Sequence, residues 1–230
     1  MEQDVWLSEV VGIPCYTIKS SDEGLFDELK GHQSRCFLQS KVAAHNSEMV
    51  VRLISELDMY LVDTSIELML KKPCIELIQN APGETIRHSR PADLEALKRL
   101  AGAALQHNRF YFDPQFPNKF AREIKEKWVS AYCEGRINGK VFVATVGSSL
   151  IGFVAVKPIS SDIGRVDLVA VEPPARGTGV ARRLILDALS RLGLKGLEVG
   201  TSINNRGALR SYLCLGFAPF NTVHLLHGHR

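Results

Sequence analysis

The segment Val171-Glu172-Pro173-Pro174-Ala175-Arg176-Gly177-Thr178-Gly179-Val180-Ala181 carries the first chemical signal in this chain. An apolar run from Val166 leads into it, and an amphipathic run from Val180 to Leu192 leads out. That pattern reads as a strand, a glycine-rich turn and a helix. Such a turn aims several backbone N–H groups and the positive end of a helix dipole at one spot, which suits an anion and above all a phosphate. Gly177 and Gly179 lack Cβ atoms and so allow close approach of the backbone. Arg176 adds a permanent cation with a bidentate fork. No Lys-Ser/Thr pair follows the second glycine, which excludes a Walker A loop. The third glycine of a dinucleotide fingerprint is missing as well. The plain alternative is an ordinary tight loop.

A second segment follows: Asn205-Arg206-Gly207-Ala208-Leu209-Arg210-Ser211-Tyr212-Leu213-Cys214-Leu215-Gly216-Phe217. Asn205 and Tyr212 stand at i and i+7, so a helix puts them on one face. Gly216 suits the residue just past a helix end, with Phe217 as the hydrophobic contact beyond it. The plain alternative here is a surface helix with a core tyrosine and a glycine stop.

Taken together and in this order, with a strand from Gly196 to Thr201 between them, the two segments resemble the GNAT acetyltransferase superfamily. The first reads Arg176-x-x-Gly179-x-Ala181. The second reads Asn205-x-x-Ala208-x-x-x-Tyr212-x-x-x-Gly216-Phe217. The resemblance implies an α/β fold with a mixed, mostly antiparallel central sheet flanked by helices. It implies acetyl-CoA as cosubstrate, its pyrophosphate held by Arg176, Gly177, Thr178, Gly179, Val180 and Ala181. A backbone N–H within Leu168, Val169, Ala170 and Val171 would polarise the thioester carbonyl. Asn205 would meet the pantetheine arm or a nearby water. Tyr212 becomes the general acid, since a phenol pKa of about 10 lies near that of a departing thiolate. The base is open between Glu172 and a water molecule.

The elements that must position these groups are legible in outline. A strand at Glu84 to His88 precedes Pro91, which suits a first helical position, and Asp93, which complements the dipole. A helix then runs through Leu94, Leu97, Leu100, Ala101 and Ala104. A second helix spans Asn118 to Glu134, where Phe120, Ile124, Trp128 and Tyr132 recur every fourth residue. Val141 to Thr145 and Ser149 to Val156 form a hairpin. Ala218 to Leu226 reads as a final strand. In the first 82 residues, strands are expected at Cys15 to Ile18, Cys36 to Gln39 and Tyr60 to Leu70. Helices are expected at Leu25 to Lys30 and Ser47 to Leu57. Pro73 and Asn80-Ala81-Pro82-Gly83 mark a boundary. The expected organisation is therefore a small N-terminal α/β domain over 1–82 and an acetyltransferase domain over 83–230.

Composition excludes several classes. The chain has 230 residues, 45% of them hydrophobic, with a net charge of +3. That mild balance lacks the basic blocks and interleaved aromatics of a nucleic-acid binder. No apolar run reaches the ~18 residues of a membrane span. The acidic start Met1-Glu2-Gln3-Asp4 differs from the basic start of a signal peptide. Five scattered cysteines without a Cys-x-x-Cys pair read as reduced thiols in a cytoplasmic protein. His227 and His229 read as an exposed tail rather than a chelate, and no metal is expected. The oligomeric state is open, a homodimer included.

Over nearly the whole chain the sequence is similar to the bacterial TDP-fucosamine acetyltransferase family. The similarity includes Lys41-Val42-Ala43-Ala44, Leu100-Ala101-Gly102-Ala103-Ala104, Asn108-Arg109-Phe110 and Ala208-Leu209-Arg210-Ser211-Tyr212. It implies N-acetylation of an amino-deoxy sugar nucleotide in surface polysaccharide biosynthesis. Arg109, Phe110 and Asp113 would then line the acceptor site, the arginine on a diphosphate or carboxylate and the aromatic on a sugar face. Arg109, Lys119 and Arg122 against Asp113 favour an anionic acceptor. Two alternatives stand beside this one: a protein or other small-molecule amine as acceptor, and a non-catalytic acetyl-CoA-binding module.

Overall fold

In the computed structural model, residues 2–19, 35–71 and 81–230 are described. The expected helix at 25–30 lies outside them. The strands are β1 (Glu2–Gln3), β2 (Cys15–Ile18), β3 (Phe37–Ala43), β4 (Tyr60–Lys71), β5 (Glu84–His88), β6 (Lys140–Val146), β7 (Ser149–Pro158), β8 (Ile163–Val171), β9 (Gly196–Ser202) and β10 (Ala218–His229). They form one sheet in the order β1-β2-β3-β10-β4-β9-β8-β7-β6-β5. Only β2–β3 and β8–β9 pair in parallel. The mixed, mostly antiparallel sheet that the resemblance implied is what the chain forms.

The helices are α1 (Val5–Val11), α2 (Ser47–Leu57), α3 (Leu94–Ala104), α4 (Arg109–Phe112), α5 (Asn118–Cys133), α6 (Val180–Arg191) and α7 (Arg206–Cys214). They cover both faces of the sheet. On one face Leu184, Ile185 and Leu189 of α6 pack with Leu68, Val154 and Val199, and Leu53 and Leu57 of α2 pack with Leu38 and Leu226. On the other, Leu97, Leu100 and Val129 of α3 and α5 pack with Val143, Phe153 and Leu168. Leu7 of α1, Phe110 of α4 and Ile124 of α5 close over Phe37. α1 and the short α4 are elements that the sequence pattern did not announce.

The division at 82/83 is a division of the chain and not of the sheet. β4, from the first part, lies between β9 and β10 of the second. It pairs with β10 from Tyr60 to Met69 and with β9 from Ser65 to Lys71. An apolar strand of this kind needs neighbours on either edge to pair its N–H and C=O groups.

The C-terminal strand is tied down by buried polar contacts. Asp113 follows α4 and is 2% exposed. It accepts hydrogen bonds from His227 Nδ1 at 2.7 Å, His229 Nε2 at 2.8 Å and the Tyr60 hydroxyl. Two expectations are corrected here. His227 and His229 are not a frayed tail but lie within β10, His227 fully buried. Asp113 is not an acceptor-binding residue, because its carboxylate is spent on β4 and β10. Burial alone would push the Asp113 carboxyl up, but the three side-chain donors outweigh it and hold it far below the usual carboxylate range. Burial holds His227 down to about 4, against the support of the Asp113 hydrogen bond.

Acid should therefore loosen this corner. Unfolded His227 takes up a proton near pH 6.5, whereas folded His227 stays neutral until about pH 4. The unfolded state binds more protons in that window, so stability falls as pH drops through it, by up to about 1.4 kcal/mol per pH unit for one group. Asp113, with its lowered value, adds a loss of the same sign at still lower pH. Urea unfolding of the wild type and of His227→Gln at pH 7 and pH 5 should show a steeper decline for the wild type. Equal slopes would contradict the assignment.

Candidate functional site

β8 and β9 begin as a parallel pair and then separate. Their register runs from Ile163 opposite Gly196 to Val166 opposite Val199, and no pair follows. The next residue of β8, Asp167, is the extra residue of a bulge, because Val156 faces Val166 while Ala155 faces Leu168. A bulge bends its strand and increases the local twist. Here it turns the end of β8 away from β9. Tyr132 of α5 donates to Asp167 at 2.7 Å, and Lys157 pairs with it at 3.0 Å, so the bend is anchored on both sides.

The parted edges leave backbone groups unpaired. The Glu172 amide donates to the Ile151 carbonyl at 2.9 Å. In an antiparallel ladder alternate residues face the same partner, so Leu168 and Ala170 face β7 while Val169 and Val171 face the gap. Across it, the Ile203 amide donates to Thr64 at 2.9 Å, which turns Gly200 and Ser202 of β9 toward the same gap. Two strand edges outside any ladder thus line a slot that can hold an extended ligand carrying amides, although the Ser202 carbonyl already accepts from the Asn205 amide at 3.0 Å. Of the four β8 residues proposed to polarise a carbonyl, Val169 and Val171 turn their backbone groups to the gap, and Leu168 and Ala170 turn theirs to β7.

At the end of β8 the glycine-rich turn takes the form expected of it. Gly177 and Gly179 have φ of 77° and 85°, a region that L side chains rarely occupy. The amides from Gly177 to Arg182 make no hydrogen bond among the described residues, and α6 starts at Val180. Those free donors and the helix dipole converge, as an anion site requires. Arg176 departs in part from its expected role: its Nε donates to the Val171 carbonyl at 3.0 Å and braces the turn.

α7 starts with Asn205 as its cap, the side-chain oxygen accepting from the Ala208 amide at 3.2 Å. Asn205 is therefore a helix cap as well as a residue of the cavity wall. Tyr212 is 4% exposed, and its hydroxyl has no hydrogen-bond partner among the described residues. Burial pushes its pKa above the ordinary phenol range.

These parts meet in one cavity of about 1190 Å³. Its walls include the glycine-rich turn, both edges of the slot, Asn205 and Tyr212, all on the α6–α7 side. They also include Arg109, Lys125 and Trp128 on the α4–α5 side. The sheet separates these two sides everywhere else, so the cavity passes through it where β8 and β9 part. Arg109 and Phe110 do line the cavity, as expected. Lys119 and Arg122 do not: the ammonium of Lys119 sits over Phe120, and Arg122 pairs with Glu126 on the surface. Glu172 is not among the lining residues either.

The sequence reading missed the floor of this cavity. Asp63, Ser65 and Glu67 of β4, Val223 and Leu225 of β10 and Lys41 of β3 share one sheet face, since Leu225 stands opposite both Lys41 and Asp63. The signal was present in β4, where Asp63, Ser65 and Glu67 alternate with Ile66, Leu68 and Leu70. Burial and the neighbouring Arg109 and Arg165 hold Lys41 down to about 8. Burial, Arg109 and Lys41 hold Lys125 down to about 7, with Asp167 acting in the opposite sense. Burial lowers Arg109 to about 10, and raises Asp63.

The family model for the Acetyltransferase (GNAT) family matches residues 103–217, half of the chain. The five curated relatives that match are named mycothiol acetyltransferase. The one from Thermomonospora curvata is 39% identical over 83 residues, 35% of this chain and 28% of its own. The one from Rhodococcus erythropolis is 29% identical over 196 residues, 79% of this chain and 63% of its own. The chain thus spans less than two thirds of the length of these relatives. Among solved structures, a GCN5-related N-acetyltransferase from Kribbella flavida superposes with a TM-score of 0.60 at 15% identity, over 98% of this chain and 83% of its own. None of these matches carries the TDP-fucosamine name that the softer sequence similarities pointed to.

The environment of Lys125 is directly measurable. Its ammonium should titrate near pH 7 by NMR, against a usual value of about 10.4. Asp167→Asn should lower it further, because Asp167 supports the charged form. A normal lysine titration would remove Lys125 from the buried cavity wall.

Proposed function

Because the chain belongs to the GNAT acetyltransferase family, we propose that it transfers the acetyl group of acetyl-CoA to the amine of a small, anionic acceptor. The observation that carries this reading is the single cavity that joins the free amides of the glycine-rich turn, the slot between β8 and β9, Tyr212 and a basic far wall. The pyrophosphate of CoA suits the amides from Gly177 to Arg182. The pantetheine arm carries two amides and suits the edges at Val169, Val171, Gly200 and Ser202, in the manner of an added strand. The acceptor then enters from the opposite face of the sheet, between α5 and β4.

In this arrangement the neutral amine attacks the thioester carbonyl. The oxygen that gains charge sits against an amide of Val169 or Val171. The C–S bond breaks, and the departing sulfur meets Tyr212. A buried tyrosine with a raised pKa holds its proton more tightly than a thiol with a pKa of about 8.5. Tyr212 therefore acts as a hydrogen-bond donor that stabilises the departing thiolate and keeps its own proton, while the sulfur takes its proton from the water that has accepted one from the amine. No metal group was found among the described residues. Asp167, the cavity carboxylate placed beside the gap, is engaged by Tyr132 and Lys157, which leaves water as the simplest proton acceptor for the amine.

An amino-deoxy sugar nucleotide is an acceptor of the required charge, consistent with the sequence similarity around Arg109. The name of the curated relatives points instead to acetylation in mycothiol chemistry. Both are small molecules, and the basic wall does not favour a basic peptide. Acetylation in the cytoplasm is part of the same reading, since Cys15, Cys36, Cys133 and Cys214 are free.

Thiol release from acetyl-CoA, measured over amino sugar nucleotides, amino sugars with and without a phosphate, and a basic peptide, tests this. Turnover confined to an anionic small amine is expected. Turnover on the peptide would move the function to protein acetylation, and CoA binding with no turnover would favour a binding module. Tyr212→Phe should lower kcat by about 10²-fold with CoA affinity kept; near-normal turnover would make Tyr212 a packing residue. Gly179→Asp, which strains a left-handed residue and puts a carboxylate at the anion site, should abolish CoA binding. Unchanged CoA affinity would remove the turn from the cofactor site.

A further inference from the structure

The charged groups on the acceptor side of the cavity do not balance. Each carboxylate there is engaged. Asp63 accepts from Ser202 at 2.7 Å and from the Thr64 amide at 2.8 Å. Glu67 meets Arg165 at 3.2 Å and Asn221 at 2.9 Å. Asp167 is held by Tyr132 and Lys157. Three cations have no such partner. Lys41 on β3, Arg109 on α4 and Lys125 on α5 form no salt bridge among the described residues, although all three line the cavity. Arg109 is oriented by a hydrogen bond to Gln39. Lys125 is only 8% exposed, and its ammonium lies 4.6 Å from the centre of the Trp128 ring.

A buried cation without a counterion is costly, and Lys125 is such a cation, with the half-buried Arg109 and the exposed Lys41 facing the same space. Arg109 opposes the charge of both lysines and Lys41 opposes that of Lys125, so the three lie close enough for charge to be felt between them. They come from a strand and from two helices that lie far beyond it in the chain. A planar carboxylate is matched by one arginine fork, whereas cations converging from three elements suit the several oxygens of a phosphate, with lysines acting as point charges.

We propose that Lys41, Arg109 and Lys125 form a subsite for a phosphate group on the acceptor, a site separate from the glycine-rich turn that holds the phosphates of CoA. The proposal rests on the acetyl-transfer reading for its purpose and narrows the acceptor to a phosphorylated amine. When the phosphate binds, Lys125 becomes fully protonated. The groups that act on it are Arg109 and Lys41, which oppose its charge, and Asp167, which supports it; the Trp128 ring lies against it.

The test is an equilibrium titration of the full chain with inorganic phosphate, with CoA present at saturation so that the turn is occupied. One phosphate per chain is expected, bound at least tenfold more weakly by Lys41→Met and by Lys125→Met. Lys195→Met, on the exposed surface beside Asp162, should bind as the wild type does. Lys41 sits at the open wall of the cavity, so its variant keeps the test valid if Lys125→Met fails to fold. Affinity should fall as pH rises from 6 to 9, with proton uptake on binding near pH 7. Absence of a second phosphate on the CoA-loaded protein, or equal affinity in all the variants, would overturn the subsite. If CoA itself does not bind while the lysine variants still lose phosphate, the subsite stands and the acetyl-transfer reading falls.

Discussion

β8 and β9 stop pairing after Val166 and Val199, and the rest of the site depends on that separation. A continuous sheet would keep its two faces apart and would satisfy the backbone groups of Val169, Val171, Gly200 and Ser202 internally. The bulge at Asp167 breaks the ladder at one residue and takes these edges out of strand pairing, with only the Val171 and Ser202 carbonyls engaged locally among the described residues, by Arg176 and by the Asn205 amide. The same parting leaves an opening through the sheet. One structural event thus supplies both a binding edge and a passage between the faces. Unpaired strand edges are a liability in a folded protein, so a pair of them inside a cavity points to a ligand that completes them.

The cavity then acquires two chemically different ends. On the α6–α7 side the donors are backbone amides and a helix dipole, which are fixed and cannot titrate. On the α4–α5 side the cations are side chains whose charge responds to what is bound. Lys125 and Lys41, held near 7 and 8, sit where neutral pH can change their protonation. A cosubstrate common to many reactions suits the first kind of site, and a specific acceptor suits the second. The polarity of the cavity follows from which elements border it: a turn and helix end on one face, and side chains from β3, α4 and α5 on the other.

Much of the cofactor half was legible in the sequence because its geometry is local. The spacing Arg176-x-x-Gly179-x-Ala181 specifies a turn and a helix start within a few residues, and Asn205 to Tyr212 specifies one helix face. The acceptor half was legible only at Arg109 and Phe110. Lys41, Asp63 and Lys125 come from three elements whose meeting depends on β4 inserting between β9 and β10, a non-local pairing that no short motif encodes. Asp113 illustrates the opposite error. A carboxylate beside an arginine and aromatics reads as a ligand contact, yet it is the buried acceptor for His227, His229 and Tyr60, all distant in the chain.

The sequence by itself determined most of the strands, turns and helices, α1 and α4 excepted, and the glycine-rich turn and the Asn205–Tyr212 helix face, because periodicity, glycines and caps act over a few residues. Tertiary structure alone decided that β8 leaves β9 at Asp167, that β3 and β4 join β10 in the cavity floor, and that three cations at its wall have no salt-bridge partner among the described residues. Those outcomes depend on register and burial across strands that the chain brings together only on folding. The charge state of Lys125 depends in turn on that burial.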